Sequence, residues 1–256
     1  MAEITALLLD LDGTIYRGGD AVPGACEFIV SLQRRKIPYL FVTNRGNRRP
    51  ESIAGKLQSM GIPCQPDHVL TSSQAVATQL DKGTRAFCIG EEGLTTILQD
   101  HGIQVSEDEA DIVVVSYDRN FNYHKLCKAL GLIEAGARFI ATNTDSVITV
   151  EDGILPEAGP IVAAVQNATG REPEIVGKPE RYIIDAACVR LNKSIDECVI
   201  IGDNLYTDIL AGHNSGMRSA LMLTGVTTRK ECEYTEIKPT WIAEDYLELE
   251  ELLFDK

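Results

Sequence analysis

Asp10-Leu11-Asp12-Gly13-Thr14 sets two carboxylates one residue apart directly after the apolar run 4–9. Such a pair repels itself in apolar surroundings unless a divalent cation lies nearby, and hard oxygen ligands favour Mg2+. Gly13 lets the chain turn sharply, and Thr14 can hydrogen-bond back to hold the turn. Alone, the pentapeptide also fits a solvated turn or part of a calcium loop. Three further groups follow apolar segments in the same way: Thr43 and Asn44 after 39–42, Lys178 after 175–176, and Gly202-Asp203-Asn204, with Asp208 beyond, after 199–201. Separately each has an ordinary explanation as a turn, a helix cap or a solvated charge.

Together they bring carboxylates, a hydroxyl and an ammonium group to one edge of a sheet, which meets the requirements of phosphoryl transfer through an aspartyl-phosphate. A carboxylate nucleophile needs its own charge and that of the phosphate neutralised, a task for Mg2+ and a lysine. The Thr43 hydroxyl and backbone N–H groups near Leu11 and Asn44 suit the equatorial oxygens, whose charge spreads in the transition state. Asp12 can protonate the leaving oxygen and then activate water.

Residues of these kinds must be positioned by strands, and the chain supplies them. Short runs rich in Val, Ile and Leu alternate with helical patterns, the signature of βαβ units around a mostly parallel sheet. Residues 4–9 form a strand, and Ala25, Phe28, Ile29 and Leu32 recur at helical spacing behind Pro23. A strand over 39–42 follows, and Pro50 then opens a helix with Ile53, Leu57 and Met60 on one face before Gly61. Further strands are expected to end at Ile89, Val115, Ala141, Val176, Ile201 and Leu223. In open parallel sheets ligands sit at the carboxyl ends of strands, where the candidate residues fall. Asp81-Lys82-Gly83-Thr84 and Gly177-Lys178-Pro179 read as hinges, giving a first core part over 1–81, an inserted α/β domain over 82–177 and a second core part over 178–256.

The 256 residues, 44% of them hydrophobic, suffice for one large or two moderate domains. Acidic residues outnumber basic ones 38 to 24, and the net charge of −14 argues against nucleic acid and anionic membrane surfaces as partners. An anionic substrate would also be repelled at long range, so its site needs a metal or local donors. No apolar run is long enough to span a bilayer and no signal peptide is evident, so a cytoplasmic protein is expected. The seven cysteines lack a C-x-x-C pair and read as reduced thiols, and the four histidines lack metal-ligand spacing.

Asp10 to Thr14, Thr43, Lys178 and Gly202-Asp203 with Asp208 resemble the four ordered motifs of the haloacid dehalogenase (HAD) superfamily. The insert between the second and third motifs, Thr142-Asn143-Thr144-Asp145 within it, and the stretch 202–208 resemble the NagD-like, p-nitrophenyl phosphatase subfamily with a large α/β cap of the C2 type. The resemblance covers nearly the whole chain. It implies a doubly wound, Rossmann-like parallel-sheet core with an inserted cap, and a Mg2+-dependent phosphatase acting on a small phosphorylated metabolite. It further implies Asp10 as nucleophile, Asp12 as acid and base, Thr43 and Lys178 as phosphate binders, and Asp10, Asp203 and the Asp12 carbonyl as metal ligands. Asp208 and Asn204 then lie outside the ligand set, Asp208 steadying the metal site or Lys178. Arg45-Gly46-Asn47 departs from the commoner second asparagine and resembles sugar-phosphate phosphatases of the AraL type. There Arg45 either contacts substrate or caps a loop. Residues 143–157, long and polar, are by the same resemblance placed over the active site as the candidate for substrate selection. A receiver-like phosphoacceptor module uses similar residues, but on different strands in a domain about half this length. A phosphomutase or phosphotransferase would differ only in what accepts the phosphoryl group.

Overall fold

The computed structural model describes residues 3–150 and 153–254, and the chain divides into two compact units. One comprises 1–43, 50–70 and 178–256, and the other 44–49 and 71–177.

The first unit is built on a six-stranded sheet in the order Trp241–Ala243, Arg218–Met222, Cys198–Gly202, Ala6–Leu9, Tyr39–Thr43, Val69–Thr71. Ala6–Leu9 pairs in parallel with Cys198–Gly202 on one side (Leu8 opposite Ile200) and Tyr39–Thr43 on the other (Leu8 opposite Leu40). All four residues of Ala6–Leu9 and all five of Cys198–Gly202 are buried, as expected of strands covered on both faces. From the first strand the chain first builds outward on one side and, after the second unit, returns to build outward on the other. The strand order therefore reverses at Ala6–Leu9, and such a switch point leaves a crevice at the strands' carboxyl ends. Phe28, Ile29 and Leu32 of helix Ala25–Arg35, Ile53 and Leu57 of Pro50–Ser59, and Leu249 and Leu253 of Tyr246–Phe254 pack on this sheet in one apolar core.

The second unit has its own five-stranded parallel sheet, in the order Glu174–Ile175, Arg138–Ala141, Ile112–Val115, Arg85–Ile89, Gln104–Val105. Its core joins Phe87, Ile89, Val113 and Val115 with Ala129 and Ile133 of helix Tyr123–Glu134 and Ile161, Val162 and Val165 of helix Ala158–Thr169.

The change of unit before the insert falls at Thr71, ahead of the Asp81–Thr84 turn, and 44–49 also joins the second unit. Thr71 is itself a helix cap: its side chain accepts from the Gln74 N–H while Gln74 answers the Thr71 N–H, opening Ser72–Ala77. The polar Asp81-Lys82-Gly83-Thr84 stretch is only a tight turn, Thr84 N–H donating to the Asp81 carbonyl at 3.1 Å. Turn chemistry looks alike at a domain border and inside a domain. On the return, the units change between Gly177 and Lys178. Residues 143–157 also differ from a plain loop: Val147–Val150 and Gly153–Pro156 pair antiparallel as a hairpin.

Candidate active site

Asp10 is the first residue past Ala6–Leu9, and its N–H still donates to the Ile201 carbonyl at 2.8 Å. The sheet's own hydrogen bonding thus fixes where this carboxylate emerges. The Lys178 ammonium, 2% exposed, donates to Asp10 Oδ1 at 2.5 Å and to Asp208 Oδ1 at 2.6 Å. Asp208 sits in a wide turn, Leu205–Ile209, and its other oxygen accepts from the Asn204 N–H at 3.2 Å. The Asn204 side chain caps that turn by accepting from the Tyr206 N–H at 2.9 Å. Asn204 thereby shapes the turn that presents Asp208 to Lys178.

Asp203, 2% exposed, is the first residue past Cys198–Gly202. Its Oδ2 accepts from the Val226 N–H at 2.7 Å, and its Oδ1 faces the Thr14 hydroxyl at 3.4 Å. Thr14 therefore reaches across to Asp203 instead of only bracing its own turn. Gly13 has φ +86°, and a Cβ there would overlap the Asp203 carboxylate, so two separate constraints require glycine. A Cβ on Gly225 would overlap Asp203 as well.

Asp10, Asp203 and Asp208 can each offer an oxygen, all within 4.8 Å of one another. Three carboxylates around one ammonium leave an excess of two negative charges in a buried place. Burial, followed by Asp208, pushes the Asp203 carboxyl up to about 7, with the Val226 N–H and Lys178 opposing. Burial raises Asp10 well above the carboxylate range, Lys178 pulls it back, and Asp208 and Asp203 raise it again. Burial alone would lower the Lys178 ammonium, yet Asp10 and Asp208 outweigh it and keep lysine charged. An all-oxygen donor set lacking two positive charges fits a hard divalent cation.

Asp12 accepts from the Tyr16 hydroxyl on Oδ2 at 3.1 Å. Leu11 is fully buried, and its carbonyl accepts from the N–H groups of Ile15 (2.8 Å) and Tyr16 (3.1 Å), which closes the loop around Asp12. Thr43, 2% exposed, ends Tyr39–Thr43 in the first unit. Asn44 and Arg45 belong to the second unit. There the Asn44 amide donates to Asp145 Oδ2 at 3.0 Å, and its carbonyl accepts from Ser72 Oγ at 2.8 Å and Asn143 Nδ2 at 2.9 Å. Glu157, 4% exposed, caps helix Ala158–Thr169, its carboxylate accepting from the Ala158 N–H. Burial pushes it up to about 7; the Ala158 N–H, Asn143 and Arg45 oppose the rise and Asp145 adds to it.

Sequence reasoning missed four contributors. Tyr16 holds Asp12, the Val226 N–H holds Asp203, Thr224 Oγ1 donates to the Gly13 carbonyl at 2.8 Å, and Tyr246 donates to the Thr14 carbonyl at 2.8 Å. Thr224-Gly225 had a readable signal, because it follows an apolar segment at a strand's carboxyl end. Tyr16 and Tyr246 had none.

Residues 7–104 match the family described as Haloacid dehalogenase-like hydrolase, and 175–249 match a second family of HAD-like hydrolases. The chain belongs to the haloacid dehalogenase-like hydrolases. It is 40% identical over 243 residues to the 5'-nucleotidase YutF of Bacillus subtilis, covering 94% of this chain and 95% of that one. It is 38% identical over 253 residues to the acid sugar phosphatase of Staphylococcus saprophyticus, covering 97% and 98%. Among solved structures it is similar to NagD from E. coli, with TM-score 0.89 and 33% identity over 94% and 96% of the two chains. These likenesses bear out the NagD-like HAD resemblance, the doubly wound core with helices and parallel sheets, and an enzyme of the phosphoric monoester hydrolase class. Among the described residues no helix is long and apolar enough to cross a membrane.

Proposed function

We propose that this chain hydrolyses a small phosphomonoester, with sugar phosphates as the substrate class, by way of a phosphoryl group carried on Asp10 and with Mg2+ bound. The observation that carries the reading is the buried Lys178 bridge between Asp10 (2.5 Å) and Asp208 (2.6 Å) beside Asp203, at the carboxyl ends of the two central strands. Asp10, Asp203 and the Asp12 carbonyl would hold the metal, which when bound offsets charge between nucleophile and phosphate.

Asp10 attacks phosphorus through a carboxylate oxygen while the bond from phosphorus to the ester oxygen breaks, and Asp12 gives that oxygen its proton. A water then attacks the phosphoryl group, its proton passes to Asp12, and the Asp10–phosphorus bond breaks to release phosphate. Lys178 keeps a positive charge beside the transferring group throughout. The Thr43 hydroxyl and the N–H groups of Leu11 and Asn44 bind phosphate oxygens. Arg45 and residues 143–157 are assigned the choice among esters. The likeness to an acid sugar phosphatase and a 5'-nucleotidase supports a phosphorylated metabolite with a hydroxyl-rich leaving group.

Phosphate release is to be measured from a panel of sugar phosphates, nucleoside monophosphates and aryl phosphates. Turnover should fall at least ~100-fold in excess EDTA and return when Mg2+ exceeds the chelator. Undiminished turnover with Mg2+ confirmed absent would overturn the metal assignment.

A further inference from the structure

Tyr16 is 2% exposed, and a buried phenol needs a partner for its hydroxyl. Its partner is the side chain of Asp12, four residues earlier, at 3.1 Å. The contact is rigidly built. The Tyr16 N–H donates to the Leu11 carbonyl at 3.1 Å and its carbonyl accepts from the Gly13 N–H at 2.8 Å, so the backbone on both sides of Asp12 is tied to Tyr16. The short strand Tyr16–Arg17 pairs with Asp20–Ala21, and Tyr16 joins the apolar core under the sheet. On the ring face, the Lys56 ammonium of helix Pro50–Ser59 stands 3.7 Å from the centroid. A cation over the ring is attracted to its electrons and draws density from the phenol, which makes the O–H a better donor.

We infer that Tyr16, reinforced by Lys56, is a positioning residue for Asp12. It occupies Oδ2 and so directs Oδ1 to carry the proton that goes to the leaving oxygen and is later taken from water. The inference rests on the reading of Asp12 as acid and base.

Tyr16→Phe keeps the ring in the core and removes only the hydroxyl. A fault in proton delivery should depend on the ester: an alkyl phosphate needs its leaving oxygen protonated, whereas 4-nitrophenol leaves without a proton. Single-turnover rates of phosphoryl transfer are therefore compared for a sugar phosphate and 4-nitrophenyl phosphate. Tyr16→Phe should slow the sugar phosphate about 10- to 100-fold and the aryl ester less than about 3-fold. Lys56→Met should give the same pattern more weakly, and Tyr16→Phe added to Asp12→Asn should lose nothing further. A purely structural role slows both esters alike, and that result, or no effect on either, overturns the inference while Asp12→Asn still discriminates between them. If Asp12→Asn itself slows both esters equally, the acid–base reading fails and takes the inference with it.

Discussion

Asp203 shows how tightly one side chain can be specified by atoms that leave no trace as motif letters. One oxygen takes the Val226 N–H at 2.7 Å, the other faces the Thr14 hydroxyl at 3.4 Å, and Gly13 and Gly225 leave no room for a Cβ on either side. Gly225→Ala must push the carboxylate away from this place. The expected result is a folded enzyme whose Mg2+ concentration for half-maximal phosphate release rises about 10- to 100-fold. A metal titration of both proteins with unchanged circular dichroism checks it, and an unshifted midpoint would mean Asp203 does not serve the metal. At this scale the grouping of Asp10, Lys178, Asp203 and Asp208 was legible because several carboxylates and a lysine each follow an apolar segment, although any one of them alone also reads as a turn or a solvated charge. The Val226 donor was not, since any residue but proline offers the same N–H. Nor was Tyr16, whose aromatic ring reads as core and only in three dimensions meets Asp12.

At the scale of elements, parallel strands were readable because strands buried on both faces are continuous runs of Leu, Ile and Val, as in Ile112–Val115. The hairpin over Val147–Val150 and Gly153–Pro156 was read as a polar loop. In the sequence the acidic pair Glu151-Asp152 follows directly and masked the β-branched run Val147-Ile148-Thr149-Val150. Asn44 shows a second limit, since it follows a strand of the first unit yet belongs to the second, where it bonds Asp145 and Asn143, and sequence distance conceals such partners. Glu157, at the head of helix Ala158–Thr169, gives this scale a pH test. Its carboxyl is pushed from an ordinary 4.5 to about 7. Below 4.5 both folded and unfolded chains hold the proton. Between 4.5 and 7 only the folded chain keeps it, so stability falls as pH rises, and the loss is complete above 7 at ~3 kcal/mol. Glu157→Gln has no charge to bury. In urea unfolding, the stability of the variant minus that of the parent should therefore increase from pH 5 to pH 8 by up to ~3 kcal/mol. A difference that does not change with pH would show that the carboxylate ionises freely where it stands.

For the molecule as a whole, the order of the motifs carried more information than any one of them. Four groups separated by up to about two hundred residues all follow strands, and the reversal of strand order at Ala6–Leu9 explains why Asp10, Asp203 and Asp208 meet. Lys178 departs from the expectation of a single sheet edge: the strand before it, Glu174–Ile175, belongs to the second unit's sheet, and Lys178 joins the carboxylates as the first residue of the chain's return to the first unit. The net charge of −14 is consistent with that meeting point, because a protein so acidic must reverse its field locally to hold a phosphate. Lys178 is the protein's own contribution to that reversal. The central claim is that Asp10 itself carries the phosphoryl group, and rapid quench in acid tests it most directly. Parent, Asp10→Asn and Asp12→Asn enzymes are mixed with 4-nitrophenyl phosphate and Mg2+, nitrophenol is followed, and phosphorylated peptides are mapped by mass spectrometry. The prediction is an acid-stable, hydroxylamine-labile phosphoryl group on Asp10 that accumulates in Asp12→Asn with a stoichiometric nitrophenol burst and is absent from Asp10→Asn. A burst from Asp10→Asn, or a phosphoryl group found on another residue, would contradict it.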